Sequence, residues 1–346
     1  MIKYGIVTSY TTSLKVVGAD IANALTKLGY PAKLYTRQVQ WYDAVEEFDA
    51  GIVFIPFDPI YALAWFLLQR DYTIRGIPSI TYVTVEGTPK KQMIPQWVKR
   101  DCTFVACSNF VKEMLETVDV RVKDVVPHGV DITAVENLKE RAVALNKQIK
   151  QKMGVKTVFG TVVSNHPRKG LQTLYNVAKK VIAKNSEIGF YIVTTEKGAQ
   201  MFKGMQNTIA DPSFGEMDRN EALATIGSFD YYVQPSYCEG FGLPVLEAQA
   251  FGRPCILPQY PPLTEISHPT ANLWVPVEEA SPTNLGDGIL YYCHFYSEDK
   301  MAEQILEAHQ IHTSSKQEYS RMSRQLVSHA KNYDILKTYK KFIDII

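Results

Sequence analysis

The sequence predicts an α/β protein built from two Rossmann-like domains that face each other across a cleft. Three observations lead there. Short apolar strand-like runs alternate with helical stretches in the first third of the chain, and the same alternation restarts at Thr157. Between the two lies a charged helical stretch, Val135–Lys152, that carries no strand signal and ends at Gly154. A chain of 346 residues is long enough for two domains of roughly 150 residues each. Strands separated by helices imply parallel pairing with right-handed crossovers. A ligand then belongs at the carboxyl ends of the strands. The expected domains are residues 1–150 and 151–331.

In the first domain the strand-like runs are Ile2–Thr8, Ala32–Tyr35, Gly51–Ile55, Ser79–Val85, Thr103–Ala106 and Lys123–Val126. Three helices are expected between them. Val17–Leu28 keeps a helical period in Val17, Ile21, Ala24, Leu25 and Leu28; the others are Ile60–Gln69 and Asn109–Glu116. In the second domain the strands are Thr157–Val163, Gly189–Thr194, Tyr231–Pro235 and Pro254–Leu257. Helices are expected at Leu171–Lys184, at Arg219–Ile226 and just after Gly242. From Leu285 to Ile346 the pattern reads as helical nearly throughout.

Composition excludes several classes. The formal charge is +1, so no global field favours nucleic acid or a membrane. Five cysteines, with no tight metal spacing, read as reduced thiols of a cytoplasmic protein. No signal peptide is expected at Met1–Thr8. The longest apolar run, Pro59–Leu68, is half the ~20 residues that a bilayer requires. A basic, aromatic-bearing patch (Lys90, Lys91, Trp97, Lys99, Arg100) has two readings, a solvated face or a peripheral contact with an anionic membrane.

The most informative stretch is Ser236-Tyr-Cys-Glu-Gly-Phe-Gly-Leu-Pro-Val-Leu-Glu247. Glu239 and Glu247 bracket a Gly-Phe-Gly turn that runs into an apolar helix, with Pro244 in its first turn and Gly252 at its end. The free N–H groups of such a helix start suit a phosphate. Glu239 can accept hydrogen bonds from hydroxyls in the turn, and Glu247, one turn further in, needs a different partner. Phosphate, two sets of hydroxyls and no evident nucleophile together describe a sugar nucleotide. Upstream, His166-Pro-Arg168-Lys169-Gly170 follows a strand and opens a helix, placing two cations where a diphosphate could lie.

The segment Glu-Gly-Phe-Gly-Leu-Pro-Val-Leu-Glu-Ala, residues 239 to 248, resembles the Glu-x7-Glu signature of the retaining glycosyltransferases of family four, which have the GT-B fold. The resemblance implies that residues 332 to 346 cross back to the N-terminal domain. It implies a hexosyl donor activated as a nucleoside diphosphate, front-face attack with retention, no metal and no other cofactor. Lys169-Gly170 fits the family's phosphate clamp; its usual arginine is Ser164 here, leaving Arg168, helped by Asn165, as the substitute. Glu247 would hold the nucleotide ribose and Glu239 the donor sugar, with Phe241, Gly242 and Leu243 offering backbone N–H groups. Glycine there would let the backbone approach the ligand. Glu86 stands near the point where many members have a histidine, with a catalytic or a capping role. Gly18 occupies the position of a glycine-rich loop, His128 reads as structural, and Glu265 stands in a departed Gly-Gly-x-x-Glu-Ile segment. The expected partners are a nucleotide sugar and an unidentified acceptor glycan, lipid or protein, with no nucleic acid. An epimerase or a non-catalytic nucleotide-sugar binder is the alternative reading.

Overall fold

The computed structural model describes residues 1–36 and 47–346. The first half contributes β1 (Tyr4–Thr8), β2 (Ala32–Tyr35), β3 (Ala50–Pro56), β4 (Ser79–Thr84), β5 (Gly87–Pro89), β6 (Phe104–Ala106) and β7 (Val122–Val125). All but β5 form one parallel sheet in the order β2-β1-β3-β4-β6-β7. Every residue of β1 is buried, and β3 is buried up to its last residue. Continuous burial, rather than alternation, is what helices on both faces of a parallel sheet require.

The second half contributes β8 (Thr157–Val162), β9 (Ile188–Val193), β10 (Thr208–Asp211), β11 (Tyr231–Val233), β12 (Cys255–Pro258) and β13 (Leu273–Val275). They form a second parallel sheet in the order β10-β9-β8-β11-β12-β13. The order in which successive strands are laid down reverses between β8 and β11, and that switch point opens a crevice beyond their carboxyl ends. Both loops singled out above, at 163–170 and 234–242, leave the sheet there.

The helix Ile132–Met153 joins the halves, capped by Asp131 at its start and by Gly154 (φ 69°) at its end. It leans on the second half through Lys150–Asp230 (2.9 Å) and Asn146 Nδ2 to the Ser228 carbonyl (2.7 Å). The chain end returns to the first half: Val130 pairs with Asp334, Gly129 N–H donates to Tyr339 Oη (2.9 Å), and Phe342 packs on Tyr82. Among the described residues no helix is long and apolar enough to cross a membrane.

Two expectations are corrected. The first helix spans Thr12–Lys27, so it begins five residues before the expected start and leaves little loop after β1. The tail expected to be nearly all helical from Leu285 is interrupted: β15 (Ile289–Tyr296) forms an antiparallel hairpin with β14 (Val277–Thr283), just ahead of that tail, and also pairs with β5. The run Ile-Leu-Tyr-Tyr-Cys-His-Phe-Tyr is rich in aromatic strand formers, and it buries Ile289, Tyr291 and Cys293 on alternate positions. The resulting three-stranded sheet takes β5 from one half and its hairpin from the other, so it stitches the two together.

Candidate active site

The loop after β8 is shaped by Gly170, which has φ +65° and caps the helix Leu171–Lys184. A Cβ there would lie 2.0 Å from the Pro235 carbonyl, so only glycine lets this loop pack on the end of β11. Tyr237 N–H donates to the Arg168 carbonyl (2.9 Å), which interlocks the loops. The geometry brings four charges together. Arg168 Nη2 pairs with Glu86 of the first half (2.7 Å), while its Nη1 reaches the Cys238 carbonyl (3.2 Å) and faces Glu239 (3.7 Å). Lys169 Nζ pairs with Glu239 Oε1 at 2.5 Å, and Gln234 Nε2 donates to the same oxygen (2.7 Å).

Burial alone would raise the Glu239 carboxyl, but the Lys169 and Arg168 charges outweigh it and hold the group below its ordinary value. Burial, with Arg168 alongside, draws the Lys169 ammonium down despite Glu239. For Arg168 the burial penalty is overcome by Glu86 and Glu239, so it stays firmly charged. Two cations and two carboxylates thus balance in a largely buried crevice.

The Gly-Phe-Gly turn docks into the opposite half. A Cβ on Gly240 would sit 2.1 Å from Thr84 Oγ1, at the carboxyl end of β4. The Gly240 carbonyl accepts from Ser108 Oγ (2.9 Å), whose oxygen in turn accepts from Val111 N–H at the start of helix Asn109–Glu116. Phe241 is buried against His128, ring centroids 4.6 Å apart. The expectation that glycine makes room for a ligand is therefore corrected at Gly240. Gly240 makes room for the other domain, and Gly242 (φ +94°) sets the turn that starts helix Leu243–Ala250. His128 is structural: its Nδ1 meets Tyr82 Oη at 2.7 Å, and burial pulls its pKa down to about 3.

Glu247 is buried and lies apart from the first cluster. Its Oε1 pairs with Arg219 (2.5 Å), whose other nitrogen is 3.5 Å from Asp20 of the first helix. Sequence reasoning missed both Arg219 and Asp20. The available signal was an acid in register with Val17 and Ala24, on the flank of a helix's apolar stripe. Burial, only partly opposed by Arg219, raises the Asp20 pKa to about 6, with Glu247 and Asp131 adding to the rise. Gly18 is not brought to the site. It lies inside the first helix, where a Cβ would meet Leu34 Cδ1 at 2.8 Å, so its smallness serves packing against β1 and β2. Asn165 is half-buried in the loop after β8, between Ser164 and the Arg168–Lys169 pair.

Glu265 also bridges the halves, accepting from Asn109 N–H (2.9 Å) and Phe110 N–H (2.8 Å) at a helix start. The basic patch is paired within the chain: Lys91 with Asp119, Lys99 with the Val118 carbonyl, Arg100 with Asp101, and Lys90 with the Asp287 carbonyl. The five cysteines are free and buried, with Cys238 and Cys293 Sγ atoms 3.9 Å apart.

Residues 156–294 match a family model described as glycosyl transferases group 1. That span holds Arg168, Lys169, Arg219, Glu239 and Glu247. The whole chain is similar to an uncharacterized glycosyltransferase of Sulfolobus islandicus rod-shaped virus 1, at 27% identity over 349 residues, covering 99% of this chain and 100% of that one. Among solved structures it resembles a glycosyltransferase from Rickettsia africae (TM-score 0.70, 14% identity, 99% and 97% of the two chains). It also resembles Anabaena HepE in complex with UDP and glucose (TM-score 0.67, 13% identity, 100% and 99%). At such identities the solved structures speak for the fold, which is GT-B. With the group 1 domain placed on the residues of the crevice, the chain is a glycosyltransferase.

Proposed function

We propose that this glycosyltransferase moves a hexosyl group from a nucleoside diphosphate sugar to an acceptor hydroxyl, with retention at the anomeric carbon and without a resident metal ion. One observation carries the reading: Arg168 and Lys169 converge with Glu239 at the switch point between β8 and β11, beside the start of helix Leu243–Ala250. That is where a diphosphate finds fixed cations and helix N–H groups. HepE, solved with UDP and glucose, supports the donor class.

In this reading the cations exchange partners. An arriving diphosphate takes Arg168 and Lys169 from Glu86 and Glu239, and the freed Glu239 accepts hydrogen bonds from the donor sugar. The acceptor oxygen forms a bond to the anomeric carbon as the bond from that carbon to the phosphate oxygen breaks. The leaving diphosphate takes the acceptor's proton, and its developing charge falls on groups already in place. Glu247, held by Arg219, receives the ribose hydroxyls, and Phe241 and Leu243 supply backbone N–H groups.

The test is product analysis by NMR after incubation with UDP-, GDP- and ADP-α-glucose, with and without a chelator. An α-linked product formed equally in chelator is expected. A β-linked product would overturn retention, and loss of turnover in chelator would overturn the metal-free reading.

A further inference from the structure

A cavity of about 350 Å³ opens beside Arg168 and Glu86, on the side away from Glu239. Most of its wall comes from the first half: the carboxyl ends of β1, β3 and β4, with Asp58, Tyr61 and Glu86. The remaining wall does not. Asp287, Ile289 and Tyr291 belong to the hairpin, which follows the second sheet in the chain.

That wall is fixed in place by backbone. β15 pairs with β5 over Gly87–Pro89, immediately after Glu86. A Cβ on Gly87 would lie 2.0 Å from the Leu290 carbonyl oxygen and 2.7 Å from Tyr291 Cα. Gly288 is equally tight, since its Cβ would meet Asp58 Oδ1 at 2.2 Å while its N–H donates to that carboxylate (3.2 Å). Lys90 closes the seam through the Asp287 carbonyl (2.6 Å). Tyr291 Oη donates to Asp287 (2.6 Å), and its ring lies 5.9 Å from the Arg168 guanidinium. The hairpin thus connects the outer wall of the cavity to the cation of the proposed reaction centre.

We infer that the cavity is the acceptor site, that the hairpin is its specificity wall, and that it selects the neutral carbohydrate end of an acceptor. The inference rests on the donor reading above. Three carboxylates, Asp58, Glu86 and Asp287, face it against one guanidinium, and that excess repels a phosphorylated or carboxylated acceptor. Carboxylates accept hydrogen bonds only, which suits the hydroxyls of a neutral sugar. Tyr61, 72% exposed at the rim, offers a flat apolar face with a polar tip, the surface on which the C–H face of a pyranose rests. The volume lies at the low end of the ~300–1,000 Å³ usual for ligand pockets, too small for a long lipid.

The test separates acceptor from donor. Transfer is measured to methyl glycosides of glucose, galactose, mannose and N-acetylglucosamine, to glucose 6-phosphate and to a polyprenyl phosphate. Nucleoside diphosphate binding is followed independently by thermal shift. At least one glycoside is expected to act as acceptor and to outrank both phosphates. Tyr61→Ala and Asp287→Ala should raise its KM tenfold or more, with diphosphate Kd within twofold. Asp287→Asn, which keeps a partner for Tyr291, should narrow the preference over glucose 6-phosphate.

Unchanged acceptor KM in both alanine variants, or a phosphorylated acceptor preferred over every glycoside, would overturn the inference while leaving the donor reading standing. Diphosphate binding and donor hydrolysis with no glycoside used would do the same. If no diphosphate binds, the donor reading falls and takes this one with it.

Discussion

At the ends of β8 and β11 two cations, Arg168 and Lys169, meet two carboxylates, Glu86 and Glu239. In the second cluster a single cation, Arg219, is shared by two carboxylates, Asp20 and Glu247. Both clusters tie an acid of the first domain to an arginine of the second, so both report on how the domains meet. Their balance differs, and the difference assigns them different guests. The first is neutral as it stands, and an incoming diphosphate can exchange with the carboxylates for its cations. The second already carries an excess of negative charge, so it suits neutral hydroxyls and disfavours phosphate.

The sharpest way to break that assignment is to remove a cation from each cluster. Lys169→Ala or Arg168→Ala should lower kcat by about 100–1,000-fold, the cost of losing one preorganised donor where charge develops, roughly 2.7–4 kcal/mol. Lys169→Ala also leaves Glu239 buried beside one cation instead of two, so stability should fall as well. Adding Glu239→Gln should recover stability and not activity, which denaturant unfolding and steady-state kinetics would separate. Arg219→Gln should raise donor KM and spare kcat. If Arg219→Gln lowers kcat as much as Lys169→Ala does, the two clusters do not divide the work this way.

Smaller, and more discriminating, is the contrast between the two glutamates. A ribose contact is made equally in the ground and transition states, so Glu247→Gln should mainly raise donor KM, by about tenfold. Positive character develops at the anomeric carbon beside Glu239, so Glu239→Gln should lower kcat more than it raises KM. Equal effects on both parameters in both variants, or full activity in Glu239→Gln, would show that the roles are shared.

The two clusters were not equally legible in the sequence. Arg168, Lys169 and Glu239 sit on two short linear motifs whose glycines and flanking strands state the local geometry. Arg219 and Asp20 lie 199 residues apart, and their meeting depends on how one domain docks on the other. Neither carries a local cue beyond a charge at the edge of a helix. The hairpin failed for a different reason. Its strand pairs with Gly87–Pro89, three residues that make no strand signal alone, and its aromatic run lies inside the tail read as helical. Gly18 was misplaced because the first helix begins at Thr12, a boundary with no side-chain cap to mark it.

The least costly perturbation tests the surplus charge of the second cluster directly. Asp20 is enclosed by Arg219, Glu247, Asp131 and Tyr339, and burial lifts its pKa from 3.8 to about 6. A carboxyl raised in the folded state binds its proton more tightly there than in the unfolded chain. Its contribution to stability is therefore complete below about pH 4 and is lost as pH rises towards 6. Asp20→Asn has nothing to ionise, so its stability relative to the wild type should climb across that window and level off above it. A pKa unit corresponds to ~1.4 kcal/mol, and the rise from 3.8 to about 6 already includes the opposing charge of Arg219, so the gain should be at most about 3 kcal/mol. Urea unfolding of both proteins at intervals from pH 4 to pH 7 gives the difference curve. A flat difference would mean that Asp20 ionises freely and that Arg219 balances both acids, which would erase the contrast between the two clusters.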